Sequence, residues 1–323
     1  MNIIRKILIG IVILFIVVIM AKDQIIKSVV MSQGSKILGA QIHLDSLGLR
    51  VFSQSIRIKG LKVYNPPGFP NEVMVDIPEI SVSADIFSFL KGKFHLPLII
   101  VNLKEMVLIR DKDGKLNVDS LNVVQKKEAT KEAKPEKSES TKQLAMQIDQ
   151  ATLNLGRVVV KDYSKGGGQP VIQAYDIGVH NKTFKNITSA EQFVTLVLVQ
   201  AMGPTALRNA AIYGAASVLG VAFLPAGIAG VILGKDSSTA EFSIGFDKAY
   251  DTALAVMKKS GQVDQENKQS GSIKGKVSGV NIAIEIIKKE RNKVGVQVTG
   301  RKFMLPKPEV AEGVMYQISE SLK

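Results

Sequence analysis

Few residues in this chain of 323 have the type and spacing for reactive chemistry: three histidines, some Asp–Gly and Gly-rich loops, and no cysteine. Metal binding needs imidazoles and carboxylates at short, repeated spacings, and His43, His95 and His180 do not lie within ligand spacing of one another. Asp111 and Asp113 flank a turn like the opening of a calcium loop, but the glycine and closing glutamate positions do not fit. Phosphate binding needs a glycine loop that opens a helix. Gly166 to Gly168 is followed by no helix start and reads as a flexible hairpin turn, while Gly234-Lys235 precedes Asp236 where Ser or Thr is required, with Ala229 at the first glycine position. No nucleophile elbow, zinc motif or dinucleotide fingerprint occurs. The lack of cysteine also removes disulfides, thiolate metal sites and the lipid-modified cysteine of a bacterial lipoprotein. The expectation is a protein without catalytic residues, cofactor or metal.

What remains is the chemistry of apolar surface. Ile7 to Ala21 is fifteen residues without a charge. At ~1.5 Å per residue it covers about 22 Å; Ile3 and Ile4 extend it toward the ~30 Å hydrocarbon core if Arg5 and Lys6 snorkel into the headgroups. This predicts a transmembrane anchor over residues 1–22. Arg5, Lys6 and the terminal amine precede it, whereas Lys22 is followed by Asp23, so the N-terminus faces the cytoplasm. The rival is a cleaved signal peptide, whose site after Ala21 would carry bulky Ile19 at the minus-three position. On either reading residue 22 onward begins across a membrane. In a bacterium that is a single inner-membrane anchor with the bulk of the chain in the periplasm.

A hydrophobic fraction of 46% and a mean hydropathy of +0.15 fit a membrane-attached globular protein. The formal charge of +13 is spread over lysines that often alternate with apolar residues, without an aromatic and Arg-rich patch, so anionic lipid headgroups are the expected partner and nucleic acid is not.

Behind the anchor, Ile25, Ile26, Val29, Val30, Ile37 and Leu38 recur at helical spacing, with an interruption possible in principle at Gly34. Such a helix either caps the following sheet or lies on the membrane surface. From Gln41 the period becomes two. Ile42, Leu44 and Ile56-Arg57-Ile58-Lys59 alternate, Gly60 interrupts the phase as a bulge would, and Leu61-Lys62-Val63 resumes it. The prolines of Asn65 to Pro70 demand a tight connection. Val73 to Ala84 reads as a strand broken or bent at Pro78, Phe87 to Lys91 as a helical turn, and Ile99, Val101, Leu103, Val107 and Ile109 as one or two strands. Asp113-Gly114 predicts a hairpin returning through Leu116 and Val118.

The run Gly60-Leu61-Lys62-Val63-Tyr64-Asn65-Pro66-Pro67-Gly68-Phe69, with Ile80-Ser81-Val82-Ser83-Ala84-Asp85, Phe89-Leu90-Lys91-Gly92 and Asp113-Gly114-Lys115-Leu116-Asn117, resembles the N-terminal part of the AsmA family of bacterial envelope proteins. The resemblance covers about residues 1 to 200. It implies an inner-membrane anchor, a periplasmic β-structure and a part in outer-membrane biogenesis or lipid traffic. Larger members look like bridges whose long apolar grooves carry acyl chains; this chain lacks the further strands that a bridge requires.

Lys126 to Lys142 is almost purely Lys, Glu, Ala, Ser and Thr around Pro135, and reads as a solvated linker spanning about residues 125–143. Strands resume at Ala151 to Leu155, step at Gly156, continue through Val160, and recur at Val171 to Val179; Ala190 to Met202 is a helix. Ala210 to Gly234 carries no charge and many small residues, which fits either a second crossing or two short helices broken at Pro225. The hairpin is preferred, because a crossing would carry the last domain into the cytoplasm. Beyond it, the patterns predict β-α-β-β-β-α: a strand from Ala240, a helix from Phe246, three strands between Ile273 and Val298, and a helix from Pro308. This part resembles a small domain of unknown function found in bacterial lipoproteins.

The expected fold class is therefore α+β. It comprises an anchor (1–22), a curved, mostly antiparallel sheet domain with amphipathic helices (23–202), an apolar helical segment (203–236) and a small α+β domain (237–323). The functional expectation is lipid handling, with acyl chains sheltered on the dry face of the large sheet. Ile56, Ile58, Val63, Val82, Ile99, Val101, Leu153 and Val160 are the candidate contacts and membrane lipids the partner. The alternative is a non-enzymatic assembly factor that binds an envelope protein through a sheet edge or the C-terminal domain.

Overall fold

The computed structural model describes residues 23–90, 92–125, 145–164, 168–208, 237–289, 293–303 and 305–323. The expected anchor with Arg5 and Lys6, the expected linker at 126–142 and the apolar segment at 210–234 lie outside the described residues. Among the described residues no helix is long and apolar enough to cross a membrane.

The chain folds as α+β around two sheets. Helix α1 (residues 23–38) runs unbroken through Gly34 and is followed by β1 (Ile42–His43), β2 (Ser46–Arg50), β3 (Ser55–Tyr64) and β4 (Val73–Ser83). After α2 (Ile86–Leu90) come β5 (Lys93–Arg110), β6 (Ala145–Asp162), β7 (Val171–Ile187) and α3 (Ala190–Arg208). The sheet order is β1-β3-β4-β5-β6-β7 with β2 also on β3. All pairings are antiparallel except β5 with β6, which run parallel in register from Lys93↔Ala145 to Arg110↔Asp162.

The strands are longer than the sequence suggests because each keeps its ladder while its side chains change phase. On β5, Ile99, Val101 and Leu103 face the core, and beyond Lys104 the duty passes to Met106 and Leu108. On β6, Leu153 and Leu155 give way to Val158 and Val160 across Gly156. On β3 the step is at Gly60 (φ +61°), and on β4 at Pro78, which is opposite it between the pairs Lys59↔Glu79 and Leu61↔Ile77. Gly156 is required there: a Cβ would sit 2.4 Å from the Lys104 carbonyl oxygen. The steps line up across β3 to β6 as one row, and the register runs through them without a shift, so Gly60 changes the phase without the bulge its interruption suggests; the register shifts of this sheet fall at Val63/Tyr64 and between β6 and β7. The hairpin expected after Asp113-Gly114 closes as a turn, with Asp111 accepting from the Asp113 and Lys115 N–H groups. It does not return as a strand: a single Arg110↔Leu116 bridge leads into a 3-10 turn at Asn117–Ser120, so that Leu116 and Val118 plug the core instead of extending the sheet.

The second sheet contains β8 (Ser237–Phe242), β9 (Gln262–Asn267), β10 (Ser272–Val277), β11 (Val280–Lys289), β12 (Lys293–Lys302) and β13 (Leu305–Pro306). All its pairings are antiparallel. Helices α4 (Phe246–Ser260) and α5 (Pro308–Ser321) share its core. The expected β-α-β-β-β-α thus gains β9 and the two-residue β13. β9 went unseen because Gln262–Asn267 holds Val263 as its sole aliphatic residue and lies exposed at the edge.

The C-terminal helix also joins the two sheets. Gly313 of α5 approaches β7 so closely that a Cβ would lie 2.2 Å from the Ile172 carbonyl oxygen. Tyr316 packs with Val107, Ile109, Val159 and Ala174 on the outer face of the large sheet.

Candidate functional site

The eight residues expected to contact lipid fall on one face. Val63, Ile99, Val101, Leu153 and Val160 are buried in a single cluster, Val82 packs half-buried against it, and Ile56 and Ile58 lie beside it, half-buried and opposite Val82 and Ile80. Two covers close the face. Ile37 and Leu38 at the end of α1, with Leu116, Val118, Leu121, Val123 and Val124, pack over one half; α3 lies against β6 and β7 and contributes Leu198, Ala201 and Met202. The β3–β4 margin is left half-covered at Ile56, Ile58, Ile80 and Val82.

Polarity separates the two ends of this face. Among the described residues the buried polar side chains are Asn65, Asn117 and Asp162, all at the end where β3 and β5 finish. Asn117 has every hydrogen-bonding group used: its Oδ1 accepts from Ile109 (3.1 Å) and Val118 (3.0 Å), and its Nδ2 donates to Asn65 Oδ1 (2.7 Å) and the Val107 carbonyl (2.9 Å). Asn65 in turn donates to the Pro70 carbonyl. The Asn-Pro-Pro-Gly-Phe and Asp-Gly-Lys-Leu-Asn segments that carry the family resemblance are therefore tied together by a buried Asn65–Asn117 hydrogen bond. Sequence reading missed the pairing, although an asparagine beside apolar residues in each motif, Asn65 after Val63-Tyr64 and Asn117 between Leu116 and Val118, was the available signal.

At the opposite end, where β3 and β5 begin, His95 bridges two carboxylates. Its Nε2 lies 2.8 Å from Asp149 Oδ2 on β6 and its Nδ1 3.6 Å from Asp85 Oδ2 ahead of α2. The Asp149 hydrogen bond raises the imidazole pKa above its usual value. Asp85 is held below the usual carboxylate range chiefly by hydrogen bonds from the Ser88 side chain and N–H, and Asp149 by its bond with His95. The two carboxylates take opposite edges of the ring, so they do not converge on a metal; among the described residues no cluster of three or more such side chains does.

Where the two sheets meet, a cleft of about 610 Å³ is bordered by charged groups that mostly neutralise one another. Lys104 faces Asp76 at 3.4 Å, Lys161 pairs with Glu72, and Arg157 pairs with Glu105 at 2.6 Å while lying 5.0 Å from the Tyr316 ring centre. Tyr316 donates to Glu105 (3.2 Å), and its burial pushes the phenol pKa up. The arrangement fastens α5 to the large sheet.

The site chemistry is thus one apolar face, polar and pinned at one end, half-open and free of buried polar side chains at the other. No curated protein sequence matches the chain. The AsmA family profile matches residues 1–298, about one hundred residues beyond the segment whose motifs resemble it and as far as β12. The chain belongs to the AsmA family, which is linked to assembly of the bacterial envelope and outer membrane.

Proposed function

We propose that this protein is held in the bacterial inner membrane by residues 7–21, with Arg5 and Lys6 on the cytoplasmic side and the body in the periplasm, and that it handles lipid during envelope biogenesis without catalysis, cofactor or nucleic acid. Acyl chains are taken on the apolar face that carries Ile56, Ile58, Val63, Val82, Ile99, Val101, Leu153 and Val160. The observation that supports this most is the half-covered β3–β4 margin: a continuous dry face reaches the surface there, without a buried polar group in the way. Each methylene buried contributes about 0.8 kcal/mol, which favours a sixteen-carbon chain by roughly 10 kcal/mol before ordering costs.

One observation favours a second reading. Five of the eight candidate residues are already buried by the protein's own elements, as they would be in an assembly factor whose sheet is only a scaffold for binding an envelope protein. Mass spectrometry of the detergent-extracted protein separates the two. Stoichiometric phospholipid is expected, reduced strongly by Ile58→Asp and little by Lys59→Asp, because Ile58 shares the dry face and Lys59 is exposed on the other. Extracted protein without phospholipid would favour the scaffold.

A further inference from the structure

Large apolar side chains stand exposed at one end of the large sheet. Phe52 is wholly exposed, Phe87 is 66% exposed, and Val51, Ile25 and Val29 are about half exposed. These residues come from three separate segments that hydrogen bonds bring together. The Leu49 N–H donates to Asp23 (3.0 Å), fixing the start of α1 beside the β2–β3 turn. The Ala84 N–H donates to the Gln54 carbonyl (2.9 Å), setting that turn against the approach to α2, and the Asp85 N–H donates to the His95 carbonyl at the start of β5. Along α1, Ile25 and Val29 form one stripe turned away from the sheet, while Ile37 and Leu38 at its other end pack into the core.

Two further features of the same end say what covers it. The uncharged run Ile7 to Ala21 enters α1 there, one residue of spacer before Asp23. The cations Arg50 and Lys93 are exposed there, whereas the acids are engaged: Asp23 by the Leu49 N–H, Asp85 by Ser88 and Asp149 by His95. Exposed aromatic tips at the same end of the sheet as two exposed cations, where an uncharged run precedes α1 in the sequence, fit a lipid–water interface of anionic headgroups.

We propose that this end of the large sheet docks on an anionic phospholipid bilayer, inserting Phe52 and Phe87 at the headgroup boundary with Arg50 and Lys93 against the phosphates. The half-covered β3–β4 margin, which begins at Ile56 immediately after this turn, then opens at the membrane surface. The orientation rests on the anchored reading of residues 7–21, and the test separates the two.

The chain contains no tryptophan, so Phe52→Trp and Phe87→Trp each place a single reporter in the full-length protein. Phe303→Trp, at an exposed turn of the small domain, is the control. Each protein is reconstituted into phosphatidylethanolamine–phosphatidylglycerol vesicles with brominated acyl chains. The Phe52→Trp and Phe87→Trp proteins should lose roughly half their emission relative to unbrominated vesicles, and Phe303→Trp little, as interfacial insertion requires. Arg50→Glu with Lys93→Glu should reduce the quenching. Carbonate extraction reads the anchor independently: release of the protein would remove the anchored reading, while quenching still decides docking. Unquenched emission at both sites in vesicle-bound protein overturns the proposal. So does a blue shift without quenching, which marks contact with a second copy or another protein, or equal quenching at all three positions.

Discussion

In the small sheet, β11 and β12 keep one alternation from end to end: Val280, Ile282, Ile284 and Ile286 face Val294, Val296 and Val298, and helices α4 and α5 close over them. In the large sheet, β3, β4, β5 and β6 each change phase once, at the same level, and the dry face is divided between two covers that leave one margin half-open. Both sheets are built from similarly apolar strands. Continuity of the alternation, more than its strength, decides whether two helices can seal a face, because a helix offers a straight stripe and a bent sheet does not present a matching one. The face that β11 and β12 carry without a step is a closed core; the stepped one retains an accessible apolar edge at the end from which the proposed anchor departs.

The comparison is broken most severely at the joint that pins the closed end of the large sheet. Asn117→Ala removes four hydrogen bonds and leaves the Asn65 amide oxygen and the Val107 carbonyl buried without them. A loss of about 2–4 kcal/mol is expected, since each stranded buried group costs roughly 1–3 kcal/mol and such losses do not simply add. Hydrogen exchange should locate it: the Ile109 amide and its neighbours lose protection, while the β11–β12 ladder keeps its own. Equal loss in both sheets would mean that the α5 contact fuses them into one cooperative unit.

A smaller and sharper test places the same substitution in a strand of each sheet. Gly156→Ala directs a Cβ into the Lys104 carbonyl at the row of phase steps, and a backbone neighbour cannot swing aside, so a cost of about 1–3 kcal/mol is expected. Gly295→Ala on β12 meets only the Lys289 Cε at 3.3 Å, the far end of a flexible side chain. It should be neutral or stabilise by about 0.4–1 kcal/mol through the unfolded chain. Denaturant midpoints of the two variants measure the difference; comparable costs would show that the phase steps are not a special feature of the large sheet.

The same steps explain what could be read in the sequence. Gly60 and Gly156 announce themselves, because a glycine between two alternating runs marks a change of phase, although at Gly60 the change comes without the bulge it suggests. At Lys104–Glu105 no special residue marks the shift, so the sequence leaves one 18-residue strand readable as one strand or two. The two halves of α1 also answer to different surroundings. Its periodicity supports both a cap on the sheet and a face toward the membrane, and in the fold Ile37 and Leu38 take the first part while Ile25 and Val29 stay exposed. The apolar face was legible residue by residue, since alternation alone assigns sides. Which part of that face is covered depends on α3 and the plug after Asp113-Gly114, and those contacts are long-range. The parallel pairing of β5 with β6 had no local signal at all, nor did the His95 bridge, whose partner on β6 is 54 residues away.

That bridge supplies the gentlest test, because the small domain contains no histidine and the large-sheet region contains all three. His95 has its pKa raised above 6.5, first by the hydrogen bond with Asp149, so its charged form is the one the fold favours. Its contribution is complete below about 6.5 and is lost as pH rises through the elevated folded value. Asp85 and Asp149 have their pKa values lowered from 3.8, the first chiefly by Ser88 and the second by His95, so their contribution is present above 3.8 and lost as pH falls through the lowered values. The attachment of α2 should therefore be firmest between about pH 4 and 6.5 and loosen on the alkaline side. The effect should be small, since all three side chains are a third or more exposed. Hydrogen exchange at the Asp85 amide, compared with β11–β12 amides after correction for the intrinsic rate, should show loss of protection in the first and none in the second as pH rises past neutrality. Asp149→Asn should lower the His95 titration midpoint observed by NMR and flatten that dependence. An unmoved midpoint would show that Asp149 does not hold the imidazolium, and the pH response of the open end would need another source.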